Sequence, residues 1–198
     1  MPTAREAIQI LTEGNARFAA GQHLHPNLTE QIRLETHDRG QNPFVAILSC
    51  SDSRSPVELV FDQGIGDIFS VRNAGNTADE GVQGSLELGV YKFNMPLLVV
   101  LGHTDCGAIR CAVEDTPLKG EMVTIIDRIK PVVQEVRHRC PDLTGDDLIT
   151  EVTKDNVLYT IDTLIDRSEI LHDRVFSDEL TIIAALHDLK SGMVEWLE

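Results

Sequence analysis

The chain has 198 residues, enough for one domain whose hydrophobic core needs no disulfide bonds. Its 32 acidic and 17 basic residues give a formal net charge of -15 at pH 7, which repels phosphate backbones and anionic lipids. The composition therefore argues against binding to nucleic acid or to a membrane surface and leaves small neutral or metal-bound ligands.

The cysteines and the N-terminal segment indicate a cellular compartment. The first residues lack the basic start and apolar run of a signal peptide, and no apolar stretch approaches the ~20 residues of a membrane span. Uneven cysteine spacing is typical of reduced thiols or metal ligands and not of a disulfide framework. We therefore expect a soluble, cytoplasmic protein in a reducing compartment. The cysteines are Cys50, Cys106, Cys111 and Cys140.

The first predicted element is an amphipathic helix over residues 3–20, where Ile8, Leu11 and Phe18 recur at helical spacing. A threonine at its start, followed three positions later by a glutamate, has the pattern of a capping box. The polar segment 21–42 has no clear period, so we expect it to be irregular or to contain a short helix.

Three short apolar runs predict strands of a parallel sheet that is covered on both faces: residues 44–48, 68–71 and 97–101. Between the second and third runs, residues 79–93 place their apolar side chains on one helical face. A strand, a helix and a strand in succession predict a crossover connection, which makes the two strands parallel.

Two further helices are predicted over residues 123–139 and 147–166, and Pro131 is able to kink or break the first. The tail, residues 179–198, predicts a strand, a turn and a final strand that adds an antiparallel edge. The sequence therefore predicts one α/β domain over residues 1–198, with a mostly parallel central sheet, helices on both faces and an antiparallel C-terminal edge strand.

Reactive side chains follow two of the predicted strands. Cys50 follows the first strand, and His103 and Cys106 follow the third. Ligands of open parallel sheets bind beyond the carboxyl ends of the strands, so the two thiols and the imidazole converge if these strands are neighbours. Such a set favours Zn²⁺ and leaves a fourth position open, as in catalytic zinc sites. A buried cysteine is more often a small apolar residue, so the residues alone leave both interpretations open.

Asp52 and Arg54 lie beside the first cysteine. The carboxylate can become a fourth metal ligand or accept the hydrogen bond of a metal-bound water, and Arg54 can hold it in either role by a bidentate pair. The alternative is a helix N-cap with a surface ion pair. Both interpretations are compatible with a metal site.

Three motifs in this order resemble the β-class carbonic anhydrases: CSDSR at residues 50–54, VRNAGN at 71–76 and GHTDCG at 102–107. The similarity covers about residues 44–113 and extends more loosely to both ends. The spacing of about fifty residues between the first and last motifs makes the resemblance specific.

The resemblance implies one Zn²⁺ per chain, held by Cys50, His103 and Cys106. It also implies that Asp52 either binds the metal in an inactive form or is released from it by pairing with Arg54. In the released form, hydroxide held by the zinc attacks CO₂ to give bicarbonate and a proton. The implied function is that of a zinc-dependent carbonic anhydrase.

By the same likeness, Gln41 and Phe69 line a CO₂ pocket across a dimer interface, and the backbone near Gly107 completes it. The implied assembly is a homodimer or a dimer of dimers, with the helix in residues 1–20 packing on a partner subunit. From the residues alone, Gln41 is an ordinary loop residue and Phe69 a core residue.

Three positions depart from the pattern of the family. Leu88 stands where several relatives have a pocket tyrosine, and Ser55 replaces the usual aliphatic residue after the arginine. Ile47 stands where bicarbonate-inhibited relatives have a tryptophan, although Arg72 of that second bicarbonate site is present. We therefore expect no inhibitory bicarbonate site and expect Arg72 to anchor its loop.

Two other functions remain open: a hydrolase of carbonyl sulfide or carbon disulfide on the same scaffold, and a non-catalytic zinc protein closed by Asp52. We expect Cys111 and Cys140 to be structural. We expect the other histidines to be surface residues: His23, His25, His37, His138, His172 and His187.

Overall fold

The structure is a computed structural model that describes residues 1–197. Five strands form one sheet: β1 (Val45–Cys50), β2 (Ile68–Asn73), β3 (Leu97–His103), β4 (Thr181–His187) and β5 (Val194–Leu197). Their order across the sheet is β2-β1-β3-β4-β5. The first four strands are parallel, and β5 is antiparallel to β4. The predicted fold class, including the antiparallel C-terminal edge, is confirmed.

Within the described residues, eight α-helices surround the sheet: α1 (Ala4–Ala19), α2 (Glu30–Arg39), α3 (Val57–Val60), α4 (Glu80–Phe93), α5 (Gly107–Val113), α6 (Met122–Arg139), α7 (Gly145–Arg167) and α8 (Glu169–Phe176). The predicted capping box is present, since the Glu6 amide donates to Thr3 Oγ1 at 3.3 Å and the Thr3 amide donates to Glu6 Oε2 at 2.8 Å. Helix α6 continues through Pro131. No helix in residues 1–197 is both long and apolar enough to cross a membrane.

Helix α2 is the short helix that was left open for residues 21–42, and helix α8 was not predicted. Helix α2 buries none of its residues, so it carries no apolar stripe that the sequence could reveal. Helix α8 is eight residues long and buries only Leu171, which is too little for a periodic pattern. Both helices begin with a side-chain cap, from Thr29 and Ser168 respectively.

The sheet is covered on both faces because residues alternate along its strands. Ala46 and Leu48 of β1 face a core cluster that includes side chains of α4, α7 and α8. Ile47 faces the opposite cluster, which includes side chains of α1 and α3. In its own chain α1 buries Ala7 and Leu11, and its packing on a partner subunit stays a prediction.

The order of the strands determines where the reactive side chains lie. Strands β1 and β3 are neighbours, with Ser49 paired to Leu101. Cys50 is the last residue of β1 and His103 is the last residue of β3. Both side chains therefore emerge at the same carboxyl edge of the sheet.

Candidate metal centre

Three potential metal ligands meet at this edge of the sheet. The ligand atoms of Cys50, His103 and Cys106 all lie within 4.8 Å of one another, and all three residues are buried. The two sulfur atoms are 3.9 Å apart. Cys106 is the N-cap residue of α5, so this helix brings the second thiol back toward the strand ends.

The hydrogen bonds of the cluster leave one imidazole nitrogen of His103 free. His103 Nδ1 is 2.8 Å from the Thr104 carbonyl oxygen, so Nδ1 carries the proton and Nε2 presents a lone pair. Within residues 1–197, the buried Nε2 has no hydrogen-bond partner. Leaving such a group unpaired costs about 1–3 kcal/mol, which a metal ion at this position would offset. The unpaired imidazole and the two thiols fit a zinc ion.

The electrostatics of the cluster favour a thiolate at Cys50. The hydrogen bond from the Cys106 thiol lowers the pKa of Cys50, and although burial opposes this, the nearby His103 and the Gly75 amide, 3.3 Å from the sulfur, add to the lowering. The same pairing with Cys50, together with burial, raises the pKa of Cys106. Burial opposes ionisation of His103, but the proximity and charge of the Cys50 thiolate raise the pKa of the imidazole overall.

Asp52 lies beside this cluster and is held by Arg54. Its carboxylate accepts hydrogen bonds from Arg54 Nε at 2.9 Å and Nη2 at 2.8 Å, and a third from the Arg54 backbone amide at 2.9 Å. These contacts keep the pKa of the Asp52 carboxyl well below its usual range. Asp52 Oδ2 is 3.9 Å from His103 Nε2. The carboxylate therefore adjoins the free face of the imidazole while its oxygens are bound to the guanidinium.

A second carboxylate, that of Asp105, supports the guanidinium from the other side. Arg54 donates from Nη1 to Asp105 Oδ2 at 3.2 Å and from Nη2 to its carbonyl oxygen at 3.1 Å. Arg110 donates to Asp105 Oδ1 at 3.1 Å. Asp105 was not among the predicted site residues, although its position between His103 and Cys106 was an available signal.

Arg72 anchors the loop that follows β1, as expected. Its guanidinium donates to the Cys50 carbonyl at 3.0 and 2.9 Å and to the Asp52 carbonyl at 2.8 Å. The loop that carries Asp52 is therefore held by its backbone as well as by Arg54.

The predicted pocket residues lie at different places in the single chain. Gln41 is exposed in the loop before β1. Phe69 is half-buried in β2, with its ring centroid 5.9 Å from that of Phe93. Gly107 opens α5, and a side-chain carbon built there would have no atom within 4 Å. Leu88 is 58% exposed on α4. Gly107 is therefore exposed in the single chain. Phe69 packs on Phe93, which agrees with the core position expected from the residues alone.

The surface prediction is wrong for His187, which is 1% exposed. It ends β4 directly beside His103, a register that the sequence did not reveal. Its Nδ1 is 2.9 Å from the Ser55 Oγ. Burial, followed by the charge of His103, lowers the pKa of His187 to about 4. The other five histidines that were predicted at the surface are exposed: His23, His25, His37, His138 and His172.

A mostly parallel α/β sheet with two thiols and an imidazole buried at its carboxyl edge defines a protein with a site that could hold a metal ion. Comparison with known proteins gives the family. A family model described as carbonic anhydrase matches residues 45–194. Carbonic anhydrase 2 of Mycobacterium tuberculosis is 37% identical over 190 residues, which cover 94% of this chain and 89% of that protein.

Solved structures share the fold. The β-carbonic anhydrase CafA of Aspergillus fumigatus gives a TM-score of 0.77 at 24% identity, covering 98% of this chain and 90% of that one. Tetrameric β-carbonic anhydrases of Sordaria macrospora give a TM-score of 0.76 at 22% identity, covering 98% and 97%. The chain belongs to the β-class carbonic anhydrases, a family of enzymes whose general reaction is the hydration of CO₂. The resemblance seen in the three motifs is confirmed.

Proposed function

We propose that this chain catalyses the zinc-dependent, reversible hydration of CO₂ to bicarbonate and a proton. The observation that carries the proposal is the buried Cys50, His103 and Cys106 cluster with its unpaired imidazole nitrogen. A carboxylate held by an arginine lies next to that nitrogen. The general reaction follows from membership of the family, and the cluster is the site at which we place it.

Cys50, His103 and Cys106 would hold one Zn²⁺ per chain. When bound, zinc would lower the pKa of a water molecule from 15.7 to about 7–9 and so supply hydroxide. The depressed pKa of Cys50 makes a thiolate ligand available without a large cost. Thr104 fixes the imidazole in the tautomer that presents Nε2.

Asp52 and Arg54 have different roles in this proposal. Arg54 occupies both carboxylate oxygens, so it competes with the metal for Asp52 and keeps a ligand position open. The carboxylate retains lone pairs that accept the hydrogen of the attacking nucleophile and orient it toward the carbon of CO₂. Asp52 is the catalytic carboxylate in this proposal, and as a fourth ligand it would close the site.

We place a pocket for a small linear molecule at the start of α5, beside the exposed Gly107. We place Gln41 and Phe69 in the pocket of a partner subunit, in a homodimer or a dimer of dimers. Strand β2 carries Phe69 and is an edge of the sheet, with one side free to meet another chain. The exposed Leu88 and Tyr91 of α4 add apolar surface to that contact.

A reducing cytoplasm suits this assignment. All four cysteines are free in the structure, and two of them must remain thiolates to bind the metal. Oxidation of Cys50 with Cys106, whose sulfur atoms are 3.9 Å apart, would remove both from the ligand set.

The experiment that tests the proposal measures three quantities on one sample of purified protein. These are CO₂ hydration by stopped flow, sulfide release from carbonyl sulfide and carbon disulfide, and zinc content. We expect stoichiometric zinc and a CO₂ rate far above either sulfide rate. Faster sulfide release would make the chain a hydrolase of those molecules, and a zinc-loaded protein inactive on all three would make the site non-catalytic.

A further inference from the structure

A cavity lies outside the metal centre and has its own polar lining. Its volume is about 250 Å³, and helices α6 and α7 and the residues before α4 form its walls. The metal-ligand residues, Asp52 and Arg54 do not line it. Drug-sized ligands occupy ~300–1,000 Å³, so this cavity suits a smaller molecule.

Two guanidinium groups line the cavity. Arg128 lines it and is fixed by hydrogen bonds to the Ala78 carbonyl at 3.3 Å and to Glu80 Oε2 at 3.4 Å. Arg167 also lines it, and among residues 1–197 no carboxylate oxygen lies within 4.0 Å of its guanidinium. The acidic residue of the lining, Asp127, pairs with Lys130 Nζ at 3.1 Å. Because Arg128 pairs with Glu80 and Asp127 with Lys130, Arg167 is the cation of the lining that remains available to an anion.

A buried amide in the lining requires a hydrogen-bond donor. Asn156 is 1% exposed, and its Nδ2 donates to the Gly75 carbonyl at 2.9 Å, which fixes the orientation of the amide. Within the described chain, its Oδ1 has no hydrogen-bond partner. Thr160, 2% exposed, adds a hydroxyl to the same lining. Because a buried acceptor without a partner is unfavourable, a ligand with an O–H or N–H donor would complete this site.

We propose that the cavity binds a small hydroxycarboxylate of about ten non-hydrogen atoms. The carboxylate pairs with Arg128 and Arg167, and the hydroxyl donates to Asn156 Oδ1. A planar guanidinium is suited to bidentate recognition of a carboxylate. The site is separate from the metal centre but adjoins it, because Gly75 accepts from Asn156 and donates to the Cys50 sulfur at 3.3 Å.

Binding of L-malate to the zinc-loaded protein, measured by titration calorimetry, tests this assignment. Arg167→Gln is expected to weaken malate binding by about tenfold or more, since a charge-assisted pair is lost. Arg167 is exposed at the end of α7, so the variant is expected to fold and to keep its zinc. The matched control is Arg33→Gln, which removes the same charge from the exposed face of α2 and is expected to leave malate binding unchanged.

The hydroxyl is tested separately with succinate, which has the same carbon chain and both carboxylates but no hydroxyl. We expect succinate to bind about tenfold more weakly than malate, since Asn156 Oδ1 then stays unpaired. Thr160→Val, which keeps the shape of the wall, is expected to weaken malate binding by a few-fold. Equal affinity of wild type and Arg167→Gln would show that malate binds at the metal or through net charge, and would overturn the assignment. No binding at millimolar malate, or equal affinity for succinate, would also overturn it.

Discussion

Two buried polar clusters of this molecule differ in how completely they are paired. Asp62 is 2% exposed and accepts hydrogen bonds from Arg17 Nε at 2.6 Å, the Leu24 amide at 3.1 Å and the His25 amide at 3.0 Å. In the ligand cluster, His103 Nε2 is buried with no hydrogen-bond partner in the described chain. The hydrogen bonds of the two thiols in that cluster are the contact between their sulfur atoms and one bond from the Gly75 amide to the Cys50 sulfur.

Both clusters are buried, so the two differ in pairing and not in burial, and we infer that this difference separates the structural cluster from the binding site. A buried charge with a full set of donors holds the surrounding backbone in place and needs no ligand. A buried donor set with an unpaired atom is complete only when a partner from outside the chain is present. If this is correct, substitutions in the first cluster reduce stability, whereas substitutions in the second remove metal and activity.

The largest expected effect is that of removing a metal ligand. Cys50→Ser, His103→Ala and Cys106→Ser should each lose zinc and reduce CO₂ hydration by at least about a hundredfold, because two ligands remain in a site built for three. Zinc content by mass spectrometry and stopped-flow rates on the same samples measure both effects.

Cysteines outside the cluster are the matched controls. Cys111→Ser and Cys140→Ser change the same atom at positions outside the ligand set and should keep both metal and activity. Full zinc occupancy in Cys50→Ser or Cys106→Ser would refute the ligand assignment.

The next effect concerns the guanidinium that holds Asp52. Arg54→Ala should keep its zinc but reduce hydration about a hundredfold, because Asp52 loses the partner that competes with the metal for its oxygens. Arg54→Lys should recover little, since an ammonium cannot donate to both oxygens in the same geometry. X-ray absorption at the zinc edge counts the ligand atoms of the metal. Near-normal turnover in Arg54→Ala would show that the Asp52–Arg54 pair only stabilises the loop after β1.

A smaller effect is expected at Asp105, which is 58% exposed and touches Arg54 from outside. Asp105→Asn keeps the backbone carbonyl that Arg54 also uses, so hydration should fall by only about two- to tenfold with zinc retained. Steady-state rates in Asp105→Asn and in Arg54→Ala, compared with those of the double variant, measure the coupling. Purely multiplicative losses would contradict a role for Asp105 that acts through Arg54.

The smallest effect on activity is expected in the fully paired cluster. Asp62→Asn should leave zinc and turnover unchanged and reduce the free energy of unfolding by about 1–3 kcal/mol, because a buried donor set then faces an amide. Urea unfolding and the stopped-flow assay on the same protein measure this contrast. A loss of zinc in Asp62→Asn would break the distinction between the two clusters.

The contribution of Asp62 also depends on pH, with a defined sign. Although burial alone would raise it, the pKa of the Asp62 carboxyl in the folded protein is lowered by the Arg17 guanidinium and by the amides of Leu24 and His25. The stabilisation is therefore present above the unfolded value of about 3.9 and is lost as the pH falls through the folded value. The difference in unfolding free energy between wild type and Asp62→Asn should be constant from pH 7 to about pH 5 and should narrow below about pH 4.

The sequence was sufficient for the parts of the fold that carry an apolar pattern. The runs that became β1, β2 and β3 are short and apolar, and the stripe of α4 predicted their parallel connection. The convergence of Cys50 with His103 and Cys106 required only that two strands be neighbours. From the residues alone, the cysteines were either metal ligands or small apolar residues. The resemblance to the family made the metal-ligand interpretation the expected one.

The rest depends on contacts between residues that are distant in sequence. His187 is buried because β4 pairs with β3 in a register that places it beside His103, which no local pattern records. The cavity between α6 and α7 is lined by Ala78, Arg128 and Arg167, which are distant in sequence, so their proximity appears only in the folded chain. The pairing of Arg54 with Asp105 has the same origin.

A zinc titration tests the central claim most directly. Metal-free protein is loaded with increasing amounts of zinc, and CO₂ hydration and bound metal are measured at each step. The account predicts no activity without metal, a rate proportional to bound zinc up to one ion per chain, and neither binding nor activity in Cys106→Ser. Hydration by the metal-free chain, or one bound zinc per chain without hydration, would contradict it.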